Sequence, residues 1–127
     1  MRKKSLTIAL VLLLLGALCA VEQVLVRSVT REAFTQTQAV LAAIRASDLG
    51  TAQRITRELD QMWDKHAKKL EVIVDHNATD DVRYALSRLL AAMEGGDVAA
   101  SLIYAGELEG GIEHVYERQS LALENVL

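Results

Sequence analysis

Three basic residues, Arg2, Lys3 and Lys4, stand just before sixteen consecutive uncharged residues, "LTIALVLLLLGALCAV" at positions 6–21. A run of that length falls between the core of a cleaved signal peptide and a full membrane span. Three fates compete for it. A lipoprotein cysteine needs a small residue immediately before it, but Leu18 precedes Cys19. Signal-peptidase cleavage needs small residues at the last and third-last positions before the cut. Ala17 with Cys19 would serve, whereas Leu18 with Ala20 would not. The remaining fate is a retained anchor: Val24, Leu25 and Val26 extend the apolar segment to about 21 residues if Glu22 and Gln23 lie at the interface. The reading is therefore an anchor. Its preceding positive charges hold the N-terminus in the cytoplasm and place the remainder of the chain outside it. The expected division is a basic tip and anchor over residues 1–26 and an extracytoplasmic domain over 27–127.

About 100 residues remain after the anchor, enough for one domain with a small core. The chain has no proline, which favours uninterrupted helices. Aromatic residues are scarce, so aliphatic side chains and alanines must build the interior. The net charge of −3 hides an asymmetry. Acids and bases balance between Glu22 and Met93, while seven acids and only Arg118 lie beyond. An acidic C-terminal third argues against a nucleic-acid partner. Cys19 is the only cysteine and sits at membrane depth, so no disulfide framework is available.

Apolar spacing of three and four predicts four helical segments. The first, residues 24–46, has Val29, Phe34, Val40, Leu41 and Ile44 on its stripe. Ser47, Asp48 and Gly50 supply the cap and turn that end it. The second, residues 51–75, presents Ile55, Leu59, Met62, Trp63, His66, Leu70 and Ile73. Asn77 or Thr79 then caps a third helix over 80–93, with Val82, Leu86, Leu89, Leu90 and Met93 inward. Gly95 and Gly96 end it in the left-handed conformation, and Asp97 caps a fourth helix from Val98 nearly to the end. Leu102, Ala105, Leu108, Ile112 and Val115 form its stripe. Gly106, Gly110 and Gly111 mark either a close helix contact or a kink, since each costs about 1 kcal/mol against alanine in a helix. The fold class is all-α: an N-terminal membrane helix followed by an antiparallel bundle of three to four helices.

Trp63 reads as the core anchor, its indole N–H seeking an acceptor on the fourth helix. His66, His76, His114 and Glu117 are the residues that could assemble a divalent-metal or anionic-ligand site, with His114 and Glu117 one helical turn apart as two metal ligands on one face. The simpler expectation is that they cap helices and bond across the core, His76 and His114 pairing with acids between the second and fourth helices. No metal or other cofactor is expected. Lys65, Lys68 and Lys69 form a basic edge, read as a solvated helix face or a contact with anionic headgroups. No phosphate loop or nucleophile elbow is present, and the expectation is a protein that is not an enzyme.

The stretches "MWDKHAKKLEVIVDHNATDDV", "LSRLLAAMEGGD" and "ELEGGIEHVYERQSLALENVL" carry a resemblance. Through Trp63 and His66, Asp75–His76, Asp97, Glu113–His114 with Glu117, and Glu124–Asn125, the chain resembles a family of small bacterial membrane-anchored proteins. Their C-terminal helical domain is the domain-of-unknown-function family four-three-six-three. The resemblance covers residues 60–127 best and implies a single-pass anchored helical domain. It supplies no reaction. The functional expectations are two: an envelope interaction or scaffold module with a protein partner, or a metal- or small-ligand-binding sensor bundle acting through such a partner.

Overall fold

The computed structural model describes residues 2–73 and 76–126, with side chains described for 2–70 and 76–118. Four helices succeed one another: α1 (Arg2–Arg45), α2 (Leu49–Ile73), α3 (His76–Glu94) and α4 (Val98–Val126), with no strand among the described residues. Each packs against its neighbours in chain order, and α4 closes the ring onto α1. The result is a square up-down-up-down bundle.

The apolar run and the first bundle helix are one element. α1 runs unbroken for 44 residues, about 65 Å at 1.5 Å per residue. Its first half, through Val21, is exposed on all sides and is long and apolar enough to span a membrane. Its second half enters the core. There the buried positions repeat every seven residues in two rows, Val26, Ala33 and Val40 beside Thr30, Thr37 and Ile44.

The other helices keep the same period. Thr56, Trp63 and Leu70 repeat on α2; Thr79, Leu86 and Met93 on α3; Ser101, Leu108 and Val115 on α4. A sustained seven-residue seam imposes left-handed, coiled-coil-like packing with helices close to antiparallel. The buried hydroxyls need no partner across the seam. Thr30 donates to the Val26 carbonyl at 2.8 Å, Thr37 to Ala33 at 2.7 Å and Thr56 to Ala52 at 2.7 Å. Ser101 does the same to Asp97 at 2.6 Å. Polar side chains are thus accommodated in a narrow core with their bonds made inside their own helix.

Phe34 departs from the expected stripe: it is 37% exposed, whereas Leu41, one heptad on at the same helical position, is buried. Ile55, Met62, His66, Leu90 and Leu102 are half-buried flanks, and the side chain of Ile73 lies outside those described. Trp63 is buried as expected, but its indole N–H donates to the Thr79 carbonyl of α3 at 3.3 Å rather than to α4. α3 begins earlier than the cap residues suggested. His76 is already helical, so Asn77 and Thr79 lie inside the first turns, and Thr79 is buried with its hydroxyl on the His76 carbonyl. The α4 glycines do not interrupt the helix. Only Gly111 marks a close approach, since a Cβ there would sit 3.3 Å from Val82 Cγ2.

Two turns at the end far from the anchor share one construction. After α1, the Asp48 N–H reaches back to the Ala43 carbonyl (2.9 Å) and the Ser47 N–H to Ile44 (2.9 Å). After α3, Asp97 bonds Ala92 (3.0 Å) and Gly96 bonds Met93 (3.1 Å) in the same pattern. Each is a left-handed C-cap followed at once by an aspartate N-cap. Asp48 accepts from the Thr51 backbone at 3.1 Å and from its hydroxyl at 2.7 Å, and Asp97 accepts from the Ala100 N–H at 3.0 Å. Gly50 is an ordinary helical residue, and of Gly95 and Gly96 only Gly96 is left-handed.

The two turns differ in the left-handed residue: Gly96 has φ 70°, but Ser47 has φ 59° and carries a Cβ there. Ser47→Gly should therefore stabilise the bundle by about 1 kcal/mol, the left-handed penalty of an L-residue. Denaturant unfolding of the full chain in detergent measures it. An unchanged or lowered midpoint would show that the turn carries no such strain.

Candidate functional site

The bundle's seams open into two shallow grooves on its surface. The first lies between α1 and α4, with a volume of about 430 Å³. Thr30, Phe34, Ile112 and Tyr116 line it, with Arg27 and Arg31 on the α1 side and Glu113 and Glu117 on the α4 side. Phe34 and Tyr116 are exposed, while Thr30 and Ile112 belong to the core beneath. The second lies between α3 and α4, about 410 Å³, where Gly110 and Gly111 lower the wall between Asp81, Tyr84, Arg88, Glu107 and His114. There Arg88 meets Glu107 at 3.6 Å across the two helices.

The residues singled out for metal binding are not brought together. His66 is half-buried on α2, with its Nδ1 buried and lacking a hydrogen-bond partner. His76 stands at the start of α3, its Nε2 3.3 Å from Asp80 of the same helix. His114 accepts from Arg118 Nε at 3.4 Å. The partners described for His76 and His114 thus include residues of their own helices, Asp80 and Arg118. Although one turn apart, Glu117 lines the α1–α4 groove and His114 the α3–α4 groove. Among the described residues no three His, Cys, Asp or Glu side chains converge as metal ligands. Asp75 and the Glu124–Asn125 side chains lie outside those described. Lys65, Lys68 and Lys69 are exposed on α2, and Cys19 is exposed on the apolar half of α1.

Sequence reasoning missed the α1–α4 groove because it placed Phe34 on the inward stripe and gave Arg27 and Arg31 no role. The charges acquire meaning only from helix register. Gln38 Nε2 donates to Glu109 Oε2 at 2.7 Å, which fixes α4 against α1. Counting antiparallel from that pair sets Glu117 level with Thr30, between Arg27 and Arg31, and sets Val126 level with Val21. The basic and acidic ridges therefore share one height, and α4 ends where the apolar run ends.

Electrostatics elsewhere is local. Thr51 holds the Asp48 carboxyl below the usual carboxylate range through its two hydrogen bonds. Asp60 on α2 is raised, first by burial and then by the neighbouring Asp64, against the opposing pull of Arg83. A carboxyl raised on folding favours the folded state while protonated, and that contribution is lost as pH rises through the folded pKa. Asp60→Asn should accordingly raise the melting temperature at pH 7, with the gain fading as pH falls through the raised folded pKa and gone below the ordinary carboxylate value, about 4. A gain that is independent of pH, or a loss at pH 7, would contradict this origin.

No curated protein and no solved structure matches the chain. The family described as Domain of unknown function (DUF4363) matches residues 22–126, beginning at the first residue after the apolar run and covering the whole bundle. The chain belongs to the DUF4363 family.

Proposed function

We propose that this protein is a single-pass membrane protein whose helical bundle, outside the cytoplasm, is a non-enzymatic interaction module held upright on the bilayer. The observation that carries the reading is the continuity of α1, apolar and unpacked through Val21 and a core helix of the bundle from Val26 onward. A signal peptidase acts on extended chain, whereas residues 17–23 are helical and lead without a linker into a packed domain. The basic residues before the span supply the orientation. The interacting surface is the α1–α4 groove, whose exposed aromatic rings and flanking charges have the make-up of a protein contact rather than of a reaction centre.

The reading is tested with single cysteines on either side of the membrane, in a Cys19→Ser background. In intact cells a membrane-impermeant maleimide should label Glu94→Cys and spare Ser5→Cys until the membrane is permeabilised. The intact mass should retain residues 1–21. Labelling in the reverse order, or a mature chain starting after Cys19, would overturn the anchored topology.

A further inference from the structure

We infer that the α1–α4 groove is the face through which two copies of this chain pair side by side in the membrane. This rests on the membrane-anchored reading above and names the partner of that surface. Phe34 is 37% and Tyr116 45% exposed over a floor that is otherwise core. None of Arg27, Arg31, Glu113 and Glu117 makes an ion pair with another described residue, although ion pairs occur elsewhere on the bundle. The groove thus offers a basic ridge, an aromatic strip and an acidic ridge side by side.

The bilayer restricts what can cover it. Phe34 lies thirteen residues beyond Val21, about 20 Å, and even from Val26, the end of the expected anchor, it lies eight residues on, about 12 Å. The headgroup layer reaches only about 5–7 Å past the hydrocarbon, so a lipid headgroup in its leaflet falls short of the aromatic strip. A protein standing at the same height reaches it. Two copies anchored in one membrane with the same orientation, if they form a closed pair through the same face, are related by a twofold axis along the membrane normal. Such a rotation moves every residue sideways and leaves its height unchanged. Because the ridges of one chain are level with each other, the acidic ridge on α4 of a second copy arrives level with the basic ridge on α1 of the first. The same holds in reverse. Each arginine then has a glutamate of the other copy within about one helical turn, and the two sets of Phe34 and Tyr116 close over the axis and exclude water.

The test uses the full chain in native membranes carrying Phe34→p-benzoylphenylalanine. Illumination should give a product of twice the chain mass, cross-linked from position 34 to α4 of the second copy. Arg27→Glu with Arg31→Glu should weaken the dimer by about tenfold or more in detergent-corrected light scattering, and Glu113→Arg with Glu117→Arg should do the same. The fourfold variant, with both ridges reversed, should restore the dimer, which a merely unfolded variant could not do. A lipid adduct only, or a product with a different polypeptide only, overturns the pairing. The latter leaves the interaction-module reading standing. A chain found outside the membrane overturns both. A dimer indifferent to either double reversal also overturns the assigned face.

Discussion

The unbroken backbone of α1 ties the bundle to the apolar run. A helix that passes from one to the other without a hinge fixes both the height and the tilt of whatever packs on it. α2, α3 and α4 pack directly or in turn on that rod. They hold to it by a seam in which Val26, Ala33, Val40 and Ile44 are buried. The height of each surface residue is consequently a property of the fold, and matched heights become matched surfaces when a second anchored molecule stands alongside.

The core that makes this possible is thin. It holds a single tryptophan among aliphatic side chains and alanines, with threonines at Thr30, Thr37 and Thr56. Bonding each hydroxyl to its own helix offsets the cost of burying it, and the indole of Trp63 on the Thr79 carbonyl links α2 to α3 across the buried seam. Specificity then falls to the ends and edges. The paired turns around Ser47 and Gly96 reverse the chain in three residues, and Gln38–Glu109 sets the α1–α4 register. At Gly111, the lack of a side chain lets α4 approach Val82 of α3 closely.

Much of this fold was legible in the sequence, because helix breaks at Asp48 and Asp97 carry their own capping chemistry and the inward stripes keep a helical period. The start of α3 was not legible. Asn77, Thr79 and Asp80 have the chemistry of caps, but tertiary contact overrides it: Thr79 is buried and its carbonyl receives Trp63. Phe34 misled because the spacing of three and four admits it, yet only Leu41, seven residues on at the same helical position, is buried. The candidate site was the least visible part. Arg27, Arg31 and Glu113 are each ordinary helix surface residues, and only the register between two helices far apart in sequence aligns them. The histidines invited attention by residue type, yet His114 and Glu117 face different grooves.

The central claim is that anchor and bundle share one rigid helix, and a distance across the membrane boundary tests it most directly. In a Cys19→Ser background, spin labels placed at Leu15→Cys and Ala39→Cys, both on exposed positions of α1, report that distance in lipid nanodiscs. About 24 residues of continuous helix predict a narrow distribution centred at about 36 Å. A broad distribution shifted to shorter distances would mean that the chain bends between membrane and bundle, and the heights on which the account depends would no longer be fixed.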